Sequence, residues 1–191
     1  KYISRNCLNG SIVECGVYKG GSVMTVAKIL SELNDFRRDI YLFDTFEGMS
    51  EPSIKDIDYN GYSAIDLMKD DKKNIIRCYS SLDEVKKNVL STGYPADKIH
   101  FIKGRVEDTL PLSELKEISL LRLDTDWYES TKHELNHLYP ILQQCGVIII
   151  DDYGHWLGAQ KAVDEYISEN YLKLLLNRID YTGRIAIKPI C

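Results

Sequence analysis

Two apolar, strand-like runs each end in a pair of acids. "LLRLDTDW" (120–127) carries Asp124 and Asp126, and "VIIIDDYG" (147–154) carries Asp151 and Asp152. A hard cation such as Mg2+ takes oxygen ligands in octahedral geometry and keeps positions open for substrate or water. Carboxylates from two neighbouring strand ends can supply one face of such a shell. Asp124, Asp151 and Asp152 are the expected set, because 124 and 151 terminate neighbouring strands. Asp126 is then a loop neighbour, available as second shell or proton acceptor. The competing explanation is that the acids cap helices beginning near 130 and 157, for which one Asp per helix would suffice. Without a cation, clustered carboxylates repel one another or take up protons. His155, in the same loop, is the other candidate base. His133 and His137 lie four apart with no acid placed to complete a site, and read as surface.

A second group of residues suits a nucleoside. "ECGVYKGGS" (14–22) is a glycine-rich turn after the first apolar run. Gly16 allows the backbone to approach a ligand, and Gly20 and Gly21 allow tight turning into the next helix. The turn lacks the spacing of a dinucleotide fingerprint and the Lys-Ser/Thr ending of a P-loop. A nucleoside cofactor without a pyrophosphate fits better, a plain strand-to-helix turn being the alternative. Asp44 ends the second apolar run, where a carboxylate can accept from ribose hydroxyls or cap a turn. Glu107 and Asp108, after the third run, could meet an adenine or simply start a helix. Trp127 and Tyr128 suit either a pocket wall or the core.

The elements that must position these groups alternate in type. Strands are expected at 11–16, 39–44, 98–104, 118–124 and 146–151. Helices are expected at 20–33, 81–91, 130–142 and 159–171, and 172–188 reads as two strands around a turn near Thr182–Gly183. Alternation of this kind predicts a doubly wound, mainly parallel α/β sheet with right-handed crossovers and an antiparallel C-terminal hairpin. Such sheets bind ligands beyond the carboxyl ends of their strands, which is where the chemistry-bearing residues fall. Segment 47–79 is polar, tyrosine-rich and poorly periodic, and reads as a long variable excursion over the sheet edge.

The chain has 191 residues, enough for one domain with a sizeable core. A net charge of −5 and the lack of a basic stripe argue against a nucleic-acid partner. No apolar run approaches the length of a bilayer span. The five scattered cysteines form no C-x-x-C pair, so reduced thiols in a cytoplasm are expected. The chain does not begin with Met, and its first strand starts by about residue 11, which suggests a fragment or a missing N-terminal region.

Taken in order, "ECGVYKGGS", "LFDTFEGMSEP", "FIKGRVEDTLP", "LRLDTDWYEST", "LYPILQQCGVIIIDDYG", "GAQKAVDEY" and "IDYTGRIAIK" resemble the macrocin O-methyltransferase (TylF-type) family over nearly the whole chain. The resemblance implies a seven-stranded Rossmann-like class I fold that uses S-adenosyl-L-methionine and Mg2+ to methylate a hydroxyl, often on a sugar. It implies that Glu14, Cys15, Gly16 and Tyr18, with Gly20, Gly21 and Ser22, hold the methionine part of the cofactor. Asp44 and Thr45 would meet the ribose, and Val106, Glu107 and Asp108 the adenine side. Asp124 would serve cofactor and metal together, completed by Asp151 and Asp152. The family usually adds an N-terminal helical region that helps cover the site. The expected partners are a small-molecule or glycan acceptor and a second copy of the chain, with neither nucleic acid nor membrane. Two rival readings use the same residues: a metal-dependent hydrolase, and a non-catalytic cofactor-binding module.

Overall fold

The computed structural model describes residues 1–70 and 76–190. Its short first helix is α1 (Tyr2–Arg5). Five parallel strands follow: β1 (Ser11–Cys15), β2 (Ile40–Asp44), β3 (Ile99–Lys103), β4 (Ile118–Leu123) and β5 (Leu142–Ile150). An antiparallel hairpin, β6 (Asn177–Arg178) and β7 (Arg184–Ile187), completes a seven-stranded sheet in the order β3-β2-β1-β4-β5-β7-β6. The crossovers carry α2 (Gly21–Glu32), α3 (Ala64–Lys69), α4 (Leu82–Leu90), α5 (Val106–Thr109), α6 (Tyr128–Leu138) and α7 (Leu157–Glu169). The expected doubly wound α/β sheet with its hairpin is therefore the observed one.

The continuous apolar strands are covered on both faces, as parallel strands require. On one face Val13, Leu121 and Ile148 pack with Leu135 and Leu138 of α6 and Val163 of α7. On the other, Ile12, Ile40 and Leu42 pack with Val23 and Ala27 of α2 and Val85 and Val89 of α4. The strand order reverses beside β1, which pairs with both β2 and β4. That switch point opens a crevice at the carboxyl edge of the sheet.

Two differences from the sequence reading bear on the site. The expected helix over 130–142 runs over Tyr128–Leu138, because Pro140 has no N–H to continue the ladder. Leu142, the last residue of that expected helix, is instead the first residue of β5 and pairs with Ile118. The second difference lies in the 47–79 excursion, of which 71–75 fall outside the described residues. The rest is tied down, with its own helix α3 and a small core of Ala64, Met68, Trp127, Trp156 and Ala159. Both tryptophans are thus core residues.

The same excursion caps two helices that frame the crevice. Asp56 is buried and accepts from the backbone N–H of Tyr128, the first residue of α6, at 2.8 Å. The Ile57 carbonyl accepts from Leu157, the first residue of α7, at 2.9 Å. Gly158 makes room for this, since a Cβ there would lie 2.1 Å from the Asp56 carboxylate. Neither α6 nor α7 has a side-chain cap from its own N-cap residue. The four strand-end aspartates are therefore not what starts these helices.

Candidate active site

The crevice holds a cavity of about 290 Å3, whose wall includes Gly16, Asp44, Asp124, Asp126, Asp151 and Asp152. Gly16 brings two of these groups together. It has φ +80°, and a Cβ on it would fall 2.0 Å from the Asp124 carbonyl oxygen. Only glycine fits at that crossing of the first turn and the β4 end. Backbone bonds secure it, with Asp124 N–H donating to Cys15 O and Gly16 N–H donating to Phe43 O, both at 2.9 Å.

Asp44 organises the turn from the other side. One carboxylate oxygen accepts from the N–H groups of Val17 (2.7 Å) and Tyr18 (3.1 Å), and the other from Phe46 N–H (2.7 Å). Of about four acceptor positions on a carboxylate, three are taken by backbone. The Thr45 hydroxyl lies 3.5 Å from the second oxygen, so Asp44 is a clamp between the first two strand-end turns.

Asp124, Asp151 and Asp152 each bring a carboxylate oxygen to within 4.8 Å of the others, at the spacing a shared cation needs. Arg122, one residue pair back along β4, reaches into the same cluster. Its Nη1 lies 2.8 Å from Glu14 and 2.6 Å from Asp124, and its Nη2 lies 3.1 Å from Asp151. One guanidinium cannot neutralise five neighbouring acids, and Glu14, Asp124, Asp126 and Asp152 are all held above the ordinary carboxylate range. Burial pushes Asp124 up to about 9, opposed by Arg122 and aided by repulsion from Asp152 and Asp151. Burial likewise lifts Glu14 to about 7 against the pull of Arg122. Asp126 and Asp152 hydrogen-bond to each other and are both raised, chiefly by burial, as a pair sharing a proton. The Asp126 backbone sits at φ +65°, an uncommon conformation for a non-glycine residue.

The cavity wall also takes in Tyr18, Thr45, Val106 and Glu107. Glu107 accepts from the Ser130 hydroxyl at 2.8 Å. Asp108 is exposed and does not line the cavity. Glu14 and Cys15 lie behind the wall, Glu14 on Arg122 and Cys15 in the core. Gly20 takes a left-handed turn against Val89 of α4, where a Cβ would come within 2.9 Å. Gly21 faces open space, and the Ser22 hydroxyl bonds Glu14. His155 is also off the wall, with its Nδ1 3.2 Å from the Tyr181 hydroxyl. His133 and His137 stack on each other on α6, with ring centroids 4.2 Å apart.

Several site residues were not singled out from the sequence. Met49, Ser50, Cys78 and Arg105 line the cavity from loops. Arg122 is a further residue not singled out, although an Arg two positions before a strand-end acid is a signal available in the sequence. Glu134, on α6, is 0% exposed, and neither of its oxygens has a hydrogen-bond partner. Among the described residues no helix is long and apolar enough to cross a membrane.

Comparison with known proteins places this geometry. A family model described as Macrocin-O-methyltransferase (TylF) matches residues 1–186. The demethyldecarbamoylnovobiocin O-methyltransferase of Streptomyces niveus is 32% identical over 178 residues, 93% of this chain and 66% of that protein. The mycinamicin III 3''-O-methyltransferase of Micromonospora griseorubida is 30% identical over 179 residues, 94% of this chain and 68% of that protein. The solved structure of the O-methyltransferase NovP superposes with a TM-score of 0.85 at 29% identity, covering 98% of this chain and 75% of that one. The chain thus spans about two thirds of the length of these relatives. Given a match over nearly every residue, the chain belongs to the macrocin O-methyltransferase (TylF) family.

Proposed function

We propose that this chain is the catalytic domain of a cytoplasmic, S-adenosyl-L-methionine- and Mg2+-dependent O-methyltransferase. Its acceptor is a hydroxyl of a sugar, a glycan or a sugar-bearing natural product, the class to which its relatives' names point. One observation carries the reading. A glycine turn pressed on the Asp124 backbone and three carboxylates within 4.8 Å of one another share a single cavity. The glycine turn, Asp44 and the Val106 segment fit the nucleoside cofactor; Asp124, Asp151 and Asp152 fit the cation. When bound, the cofactor supplies an activated methyl group and Mg2+ supplies Lewis acidity toward a coordinated hydroxyl.

The chain's own residues prepare the step. Arg122 fixes Asp124 and Asp151 relative to each other. Gly16 sets the distance between the cofactor turn and the acids. Asp126 stands on the cavity wall, and His155 does not. That position supports Asp126 over His155 as the base that takes the acceptor's proton, a role typically worth about 10²–10⁴-fold.

The test is a thermal-shift series with S-adenosylhomocysteine, with and without Mg2+, run beside methyl transfer to a vicinal diol. Wild type should respond to both ligands and transfer the methyl. Asp124→Ala should lose the Mg2+ response and turnover yet keep its nucleoside affinity. Full activity in that variant would sink the metal assignment. Absence of any nucleoside shift in wild type would favour a metal-dependent hydrolase. A shift without transfer would favour a non-catalytic module.

A further inference from the structure

Beside the acid cluster, three loops bring exposed aromatic rings together. β7 runs antiparallel to β5 with Arg184 opposite Ile150, so the turn before β7 lies at the carboxyl edge of the sheet, next to Asp151. Gly154 N–H donates to Thr182 O at 2.8 Å, which docks that turn on the loop after β5. Gly154 permits the approach, because a Cβ there would lie 1.9 Å from the Tyr181 carbonyl. The excursion joins from the other side through a bridge between Asp58 and Trp156. The Asp58 carboxylate accepts from the N–H groups of Asn60 (2.9 Å) and Tyr62 (2.8 Å), closing a tight turn that carries Tyr59.

The result is a triangle of rings. Tyr59 and His155 have centroids 5.4 Å apart, and Tyr181 lies 6.0 Å from each. The Tyr181 hydroxyl bonds His155 Nδ1, so the rings are fixed relative to one another. Yet Tyr59 is 57% and Tyr181 56% exposed. Rigid, amphipathic rings left facing solvent leave apolar area uncovered while keeping polar tips at their edges. His155 N–H donates to the carbonyl of Asp152 at 3.0 Å, so the triangle starts one turn from the cation ligands. Nothing in the chemistry assigned above to cofactor or cation uses these three residues.

Resting on the O-methyltransferase reading, we infer that Tyr59, His155 and Tyr181 form the acceptor subsite, a platform for a pyranose ring. A pyranose presents an axial C–H face that stacks on an aromatic ring and equatorial hydroxyls that reach its polar edge. The triangle offers both, on loops that join the segment carrying Asp151 and Asp152. Specificity for a glycoside would then come from these loops rather than from the cofactor turn.

The test is binding of methyl α-L-rhamnopyranoside and methyl α-D-mannopyranoside to protein saturated with S-adenosylhomocysteine and Mg2+. Titration is read by saturation-transfer NMR, and calorimetry of the nucleoside serves as a control. Tyr59→Ala and Tyr181→Ala should each weaken pyranoside binding about threefold to tenfold, whereas Tyr59→Phe, which keeps the ring face, should stay within about twofold of wild type. Nucleoside affinity should be unchanged in all three, which also reports that they fold. Alanine variants that bind the pyranosides as wild type does would overturn the platform. So would a wild type that binds the nucleoside but neither sugar, and that result leaves the methyltransferase reading standing. A wild type that fails to bind the nucleoside would instead remove the reading on which the platform rests.

Discussion

Replacing Glu134 by glutamine is expected to stabilise the protein at neutral pH and to change nothing near pH 4. Glu134 is fully enclosed under the cavity floor, with both oxygens unpartnered. Burial drives its pKa well above the ordinary 4.5, and the charges of Glu107 and Asp152 push the same way. The Thr125 hydroxyl and the Cys15 thiol lie nearby without meeting hydrogen-bond geometry and offset this only in part. In the unfolded chain the group releases its proton near 4.5, whereas the native state keeps it. Above that pH the native state therefore binds one more proton than the unfolded state, and stability falls as pH rises by about 1.4 kcal/mol per pH unit. Below it both states are protonated and the penalty vanishes. Between pH 4.5 and 7.5 the loss has a ceiling of about 4 kcal/mol. Relaxation and water entry bring a realistic figure to about 2–4 kcal/mol. Glutamine keeps the shape and cannot ionise, so the gap between variant and wild type should open along that slope. Asp124, Asp126 and Asp152 titrate in both proteins and cancel in the difference. Urea unfolding followed by circular dichroism at pH 4.5, 6 and 7.5 measures it directly. A gap that stays flat with pH, or a variant less stable at pH 7.5, would show that Glu134 is ionised in the native state and would refute the reasoning.

Three further perturbations follow from the contacts around the cavity. Gly16→Ala combines a left-handed backbone with a clash against the Asp124 carbonyl. It should cost about 2–5 kcal/mol of stability in chemical denaturation and abolish calorimetric binding of S-adenosylhomocysteine. Asp44→Ala removes the acceptor of three backbone N–H groups, so it should lower stability by about 2–4 kcal/mol as well as weaken the nucleoside. A loss of affinity with no loss of stability would make Asp44 a ribose ligand only. Asp56→Ala strips the start of α6 of its acceptor and should cost about 2–4 kcal/mol. Hydrogen exchange should locate the loosening at Tyr128 and the 53–58 segment, and protection unchanged there would argue against the cap.

What could be read from the chain, and what could not, divides along sequence distance. β2 and the second half of β5 announce themselves because both faces are covered, so "IYLF" and "VIII" are unbroken apolar runs ending in an acid, and β4 departs from that pattern only at Ser119 and Arg122. That is why Asp44, Asp124 and Asp151 could be placed at strand ends before any contact was known. Leu142 was misplaced for the complementary reason. Its spacing from Leu135 and Leu138 satisfies a helix, and only its pairing with Ile118 decides for the strand. Arg122 and Glu134 were missed because a period of two or four residues says which face a side chain takes, not whom it meets there. Asp56 is the most instructive case. It lies in a segment with no periodicity, and its partner Tyr128 is 72 residues away. Yet Asp56 is what settles the doubled aspartates. As long as α6 and α7 lacked caps, the strand-end acids had an ordinary structural use. Once the excursion supplies an acceptor to the first residue of each helix, the four acids are left without that use. They are drawn together against their own repulsion and brought to a cavity wall opposite a glycine that exists to touch one of them. Such an arrangement costs stability in the absence of a ligand, and the cation proposed above would recover that cost.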